Sequence, residues 1–353
     1  MTTTADAPAR SGASARAPLG WARTGRLAVL LALVVLVGLA ALASIAVGTR
    51  SLAPGEVWRA LFESDPTDEA AVIVQQLRVP RTVLGLMVGA ALGMAGALMQ
   101  GHTRNPLGDP GLLGVTAGAS LAVVVAIAYL GVTTASGYVW FAFAGALAGT
   151  VLVYAVGAAG RGGATPVTLA LAGAALSALL YALVRAIVVS DSATLDSFRF
   201  WQVGALAGRG SEVAWQVAPF IAVGAVLALA NSPALNLLGL GEDVARGLGQ
   251  RIWLARVVGL AAITLLCGAA TAACGPIAFV GLVVPHVVRG LTGPDHRWLV
   301  PCSGLLGAAL LLGADVLGRV LARPGELQVG IVLALVGAPF FIALVRRRRT
   351  MAL

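Results

Sequence analysis

Charge is scarce in this chain. Of its 353 residues only 11% are charged, while 59% are hydrophobic. A soluble protein carries roughly 25% charged residues, so there is too little charge here to cover a water-facing surface, and lipid is the implied solvent. Lysine is missing altogether, and the 24 basic residues are all arginine. A nucleotide-binding P-loop needs a lysine to reach the phosphates. The chain therefore has no such loop, and any ATP it depends on must be bound by a partner. Cysteine is limited to Cys267, Cys274 and Cys302, with no CxxC pair. Each lies in an apolar run and reads as a small buried hydrophobe. The histidines His102, His286 and His296 are far apart and form no HExxH. No Ser–His or paired-carboxylate arrangement lies within one helix. Catalytic residues, a metal site and a cofactor are accordingly not expected, and the enzyme reading is set aside.

What fills the chain is a series of apolar runs. At about 20 residues per crossing, spans are predicted near 27–47, 80–99, 112–131, 138–159, 167–190, 214–231, 253–273, 276–291, 298–318 and 328–345. The expected fold is an all-α polytopic membrane domain of about ten transmembrane helices over residues 23–349. Residues 1–22, rich in Ala, Thr, Ser and Arg, read as a disordered cytoplasmic tail. Ala41-Leu42-Ala43 also resembles a signal-peptide cleavage site, but the first run exceeds an h-region of about 7–15 residues, so a retained helix is preferred. The net charge of +9 sits in short loops and tails. It reads as topology determinants and anionic-lipid contacts, not as a nucleic-acid surface. Ten spans place both termini on one side, with Arg23, Arg26, Arg104, Arg246, Arg251, Arg289, Arg297 and the Arg346–Arg349 run. Basic loops stay cytoplasmic, so both termini are assigned inside.

Three stretches carry more than span pattern. Arg78-Val79-Pro80-Arg81 opens a helix with Gly85, Gly89 and Gly93 four apart, which ends at an Asn-Pro…Asp-Pro-Gly turn around Asp109. Glycines at that spacing share a face and let another backbone approach closely in lipid. Residues 231–251 form an amphipathic connection, with Leu240, Val244 and Leu248 apolar, Glu242, Asp243 and Arg246 polar, and Gly239, Gly241, Gly247 and Gly249 around them. Such a helix lies at the membrane interface or docks another protein. Arg185 and Asp315 are the notable charges inside spans, each near a predicted outer end, where snorkelling or a local ion pair accommodates them. A proton-coupled secondary transporter, the alternative of a different class, needs a carboxylate or histidine relay near the midplane, and none is seen.

Together these motifs resemble the FecCD-type permeases of type II ABC importers, the iron-siderophore, haem and vitamin B12 permease family. Arg78-Val79-Pro80-Arg81-Thr82, then Gln100-Gly101 with Arg104-Asn105-Pro106-Leu107 and Asp109-Pro110-Gly111, follow the family's order. So do Leu240-Gly241-Glu242-Asp243-Val244-Ala245-Arg246 with Leu248-Gly249, Gly275-Pro276 through Pro285-His286 with Arg289, and Gly337-Ala338-Pro339-Phe340. The resemblance covers about residues 25–348. It implies a permease dimer, homo- or heteromeric, in the plasma membrane, with two ATPase subunits below and a solute-binding protein above. It also implies an iron-siderophore as cargo, with haem or a corrinoid as alternatives. The loop with Leu240, Gly241, Glu242, Asp243, Arg246, Leu248 and Gly249 is then expected to couple to the ATPase. Arg78, Arg81 and Arg319 are expected to face the binding protein. Trp201 and Gly204, on a short outer helix, are expected beside the pathway, and Thr165, Pro166, Val167 and Thr168 at a cytoplasmic constriction. Ala205 stands where the family usually has serine. His286, without a metal partner nearby, reads as a structural hydrogen-bonding residue.

Overall fold

The computed structural model describes residues 23–63, 67–159 and 165–350. The predicted tail at 1–22 and the loop at Arg161-Gly162-Gly163 lie outside the described residues. Fourteen α-helices follow one another: α1 Arg23–Ala46, α2 Pro54–Phe62, α3 Glu69–Val72, α4 Val79–Thr103, α5 Val115–Leu130, α6 Ala135–Ala158, α7 Pro166–Ser190, α8 Ser192–Gln202, α9 Ser211–Leu238, α10 Glu242–Gly247, α11 Ile252–Cys274, α12 Val280–Thr292, α13 His296–Leu321 and α14 Val329–Thr350. No strand occurs among the described residues. Seven helices have the length and apolar character of a full crossing, and three shorter apolar helices, α5, α12 and the first part of α14, make up the ten expected.

Burial orders these helices. α4, α11 and α13 are mostly enclosed, whereas α1 and α7 leave most of their apolar side chains outside. In lipid this is no defect, since outward Leu and Val meet acyl chains, and packing is driven by close backbone approach. α4 forms the axis and packs along α13, α11, α9 and α12. The stripe of Gly85, Gly89 and Gly93 faces α13 of the same chain. A methyl group at Gly89 would come 2.5 Å from the Gly307 carbonyl oxygen, and one at Gly93 would collide with the Ser303 carbonyl. Gly307 in turn faces the Gly89 carbonyl, so the approach is reciprocal. α5 and α6 repeat the device: Gly118 and Gly145 each face the other's carbonyl.

Two boundaries differ from the sequence reading. The eighth span begins at Val280, not at 276, because Gly275 (φ 78°) and Phe279 (φ 69°) hold left-handed backbone that a helix cannot contain. The second span extends backwards without a loop, from Glu69 through a π-helical turn, Ile73–Arg78, into α4. That extension lifts the Arg78–Arg81 turn onto rigid helix.

Candidate functional site

The polar side chains gather at the two ends of the bundle. At one end lie the C-terminal turns of α1 and α13 and the start of α4. Asp315 of α13 is fully buried there (0% exposed) between two guanidinium groups. Arg81 meets it through Nε and Nη2 at 3.0 and 2.7 Å, and Arg319 Nη2 donates at 2.8 Å. Arg81 also reaches Glu326 at 2.8 Å. A two-pronged arginine–carboxylate contact fixes geometry as well as charge.

Arg78 and Arg319, expected to face outward, are instead buried, at 4% and 2% exposure. Their donors go to the last turn of α1. Arg78 donates to the carbonyls of Ile45, Ala46 and Arg50 at 2.7–2.9 Å. Arg319 donates to Ser44 and Val47, and Arg323 donates to Gly48. A helix C-terminus leaves four carbonyls without partners. Arg78 and Arg319 satisfy three of them here, those of Ser44, Ile45 and Ala46, with the sign that the helix dipole favours, and Arg323 takes the Gly48 carbonyl just beyond. Their positions in sequence do not reveal this, because the acceptors lie some 28–33 or 272–275 residues away.

α8 stands beside that end. Asp191 caps it, and its bonds to the Thr194 hydroxyl and to the Thr194 and Ala193 amides hold its carboxyl below the usual range. Trp201 turns into the core and stacks on Phe198, while Phe200 is the exposed aromatic, with Arg199 over its ring. Gly204, at φ 77°, lies against the Pro276 carbonyl, and its own carbonyl accepts from Gly330 at 3.0 Å. Gly204 thus joins the start of α14 to the turn before α12. Arg185 is exposed beside α8, lining a cavity of about 420 Å³ with Tyr181, Phe198 and Gln202.

At the opposite end, α10 projects between α9 and α11. Gly241 (φ 104°) and Gly249 (φ 81°) bracket it in backbone that L side chains rarely adopt. Ala245 is buried, while Leu240, Val244 and Leu248 are 61%, 51% and 60% exposed. Glu242 is anchored by Arg256 of α11 at 2.5 Å, with Arg246 at 3.4 Å and Arg104, after α4, at 3.7 Å. Asp243 points into solvent beside Arg246, 3.0 Å away. Glu242 therefore serves as a tether within the chain. The exposed surface is the apolar trio with Asp243 and Arg246.

Behind α10 the groups are mostly amides and imidazoles. Asn231 Nδ2 lies 2.9 Å from His102 Nε2, Asn236 accepts from His296, and Asn236 donates to Asp295 at 2.6 Å. Gln100 donates to the Leu282 carbonyl at 3.1 Å and accepts from Arg289 at 3.2 Å. Asp109 caps the short 3₁₀ turn Pro110–Leu113, and burial pushes its carboxyl up, against the lowering bond from Gly111. Thr165 and Thr168 close a capping box at the start of α7, each side chain accepting from the other's amide, with Pro166 in the first turn and Val167 exposed. His286 sits edge-on to Phe340, 6.4 Å between centroids. No group of three or more metal-ligating side chains occurs among the described residues.

A helical bundle of ten membrane segments, charge-locked at one end and offering an apolar helix at the other, is the architecture of a transport permease. The FecCD transport family model matches residues 32–347, and the chain belongs to that family. The ferric enterobactin transport system permease protein FepD of Escherichia coli is 46% identical over 316 residues, 90% of this chain and 94% of that protein. The cobalamin import system permease protein BtuC of Halobacterium salinarum is 41% identical over 287 residues, 81% of this chain and 76% of that one. Among solved structures, an inward-facing metal-chelate type ABC transporter superposes with a TM-score of 0.79 at 30% identity, covering 91% of this chain and 99% of its own. The chain is thus a multi-pass inner-membrane permease subunit of a type II ABC importer.

Proposed function

We propose that this subunit pairs with a second permease, identical or homologous, to form the pathway of an ATP-driven importer for an iron–siderophore complex. An extracytoplasmic solute-binding protein delivers the complex to the end that carries Asp315. Two separate ATPase subunits dock at the end that carries α10, which is cytoplasmic together with both termini. The supporting observation is α10 with its flanking turns, where Leu240, Val244 and Leu248 are exposed beside an acid already paired from within. A force applied there passes through Glu242 into α11 by Arg256 and towards α4 by Arg104. The tethers hold the helix, and Leu240, Val244, Leu248, Asp243 and Arg246 meet the partner.

Arg78 and Arg319 then support the outer surface, and Arg81 with Glu326 is the part of that cluster nearest a docked binding protein. Thr165–Thr168 narrows the cytoplasmic mouth, and the outer helix α8 flanks the pathway through Phe200 and Gly204 more than through Trp201. The iron–siderophore assignment draws on the relatives, several of which are named for ferric enterobactin, hydroxamate or citrate transport. Others are named for haemin and cobalamin.

Two measurements test the reading. Val244→Asp is expected to insert normally but to lose ATPase co-purification and transport; full assembly with normal transport would sink the coupling role. In a strain lacking the gene, uptake of labelled ferric siderophore is expected to fall. Unchanged iron uptake with lost corrinoid uptake reverses the substrate choice, and uptake that persists without any ATPase subunit but collapses with the proton gradient points to a secondary carrier.

A further inference from the structure

The start of α1 and the head of α13 form an open cleft of about 560 Å³. It lies at the end of the bundle that carries α10, since Asn236, in the last turn of α9, donates to Asp295 of the cleft at 2.6 Å. α1 lines one side with Arg23, Arg26 and Leu30, which share a helix face at spacings of three and four. α13 lines the other with Arg297, Trp298 and Pro301. Three arginines stand there against one carboxylate, Asp295, which leaves two positive charges over.

That carboxylate is already in use. Asp295 accepts from the Arg297 amide, from Asn236, and from Arg26 at 3.3 Å. Arg26 Nε is buried without a partner. The Arg23 and Arg297 guanidinium groups make no hydrogen bond or ion pair among the described residues. The segment before Arg23 does not supply the missing anion, because it holds Arg10 and Arg16 against Asp6 alone. Further along α1, Leu27, Leu31 and Val34 are exposed, so an occupant meets charge at one end and apolar side chains at the other. Trp298 is the residue type that marks the headgroup level of a bilayer. Basic pockets between membrane helices suit the head groups of anionic lipids.

We propose that this cleft binds one anionic phospholipid from the leaflet at the α10 end, and prefers a two-phosphate lipid of the cardiolipin type, which matches the two spare charges. Arg23 and Arg297 hold its phosphates, Arg26 Nε completes the contact, and its acyl chains run along α1. The lipid then bridges the tip of α1 to the head of α13, which the partly exposed Arg26–Asp295 pair joins only weakly. The inference goes beyond the transport reading and is independent of the cargo.

The test takes the purified permease–ATPase complex, strips it of lipid in detergent, and titrates it with cardiolipin, phosphatidylglycerol or phosphatidylcholine, all with oleoyl chains. Native mass spectrometry reads the bound lipid. Wild type is expected to retain one cardiolipin per copy of this subunit, about tenfold tighter than phosphatidylglycerol, with phosphatidylcholine at background. The double variant Arg23→Ala, Arg297→Ala leaves the Arg26–Asp295 pair in place. It is expected to weaken cardiolipin about thirtyfold, the scale of two arginines at a membrane surface. Lysine at both positions should recover most of that, since it also brings a charge to phosphate. The pair Arg50→Ala, Arg199→Ala, which removes two exposed arginines elsewhere on the chain, controls for surface charge and is expected to bind as wild type. Equal cardiolipin retention by wild type and the Arg23/Arg297 variant overturns the proposal. So does an equal loss in the control pair, cardiolipin no tighter than the other two lipids, or displacement by millimolar inorganic phosphate, which marks a free-anion site. Binding by the isolated subunit that vanishes in the assembled complex overturns it as well, because a protein partner then covers the cleft.

Discussion

Asp315 and Glu242 are both carboxylates held by more than one arginine, and they sit at opposite ends of the same bundle. Asp315 is sealed between Arg81 and Arg319, with no exposure. The Glu242 side chain keeps 26% of its surface open beside Arg256, Arg246 and Arg104. The difference in burial changes what the same chemistry does. A fully buried pair is expensive to break, because its partner is left charged and unsolvated. A half-exposed pair is weakly stabilising but can exchange partners, since water replaces whatever is lost. The first builds the outer end, and the second positions a surface helix while leaving it free to respond.

Replacing each anion tests this contrast. Asp315→Ala leaves Arg81 and Arg319 without their shared anion at a largely buried site and is expected to cost about 3–5 kcal/mol. Thermal unfolding of the detergent-solubilised subunit should show a large downward shift, and the yield of folded protein should fall. An unchanged midpoint would mean that water enters this end freely. Gly93→Ala comes next, forcing a methyl into the Ser303 carbonyl at the α4–α13 seam. Overpacking of this kind costs about 1–3 kcal/mol. In Gly290→Ala, where a methyl meets nothing within 4 Å, the same assay should show no loss. Glu242→Gln is expected to be the mildest, within about 1 kcal/mol. Its effect should appear in the ATPase–transport ratio of the complex, because α10 loses its tethers while its apolar face remains. A stability loss there as large as that of Asp315→Ala would erase the distinction between the two ends.

The helices were largely legible because the apolar runs are long and the breaks between them are polar or glycine-rich. The α10 turn was legible for a local reason: Gly241 and Gly249 bracket it, and Leu240, Val244 and Leu248 give the stretch an apolar face. The arginine clamp was not. Arg78 and Arg319 sit where outward-facing cations belong, and only the fold brings the carbonyls of α1 to them. The same holds for Glu242, whose strongest partner, Arg256, lies on the next helix. The Gly85/Gly89/Gly93 face was readable as a packing surface, but its partner on α13 was not, because glycine spacing carries no address. The Gly118–Gly145 approach is a seam of the same kind, where Gly114 and Gly118 meet Gly145 and Gly149, and these four-residue spacings name no partner either. For α8, the pattern Phe-Arg-Phe-Trp showed an aromatic helix without showing which ring faces inward.

The clamp also bears on how this molecule can change shape. α1 has 24 residues, a rod of about 36 Å at 1.5 Å per residue. One tip is tied to Asp295, at the head of α13, by Arg26, and the other to Arg319, in the tail of α13. Two rods fastened at both tips behave as a splint, stiffer at the buried Arg319 tip than at the partly exposed Arg26 tip. Sliding of α1 along α13 is expected to break the bonds from Arg319 to Ser44 and Val47, so a movement that opens one face and shuts the other is expected to carry this pair as one body.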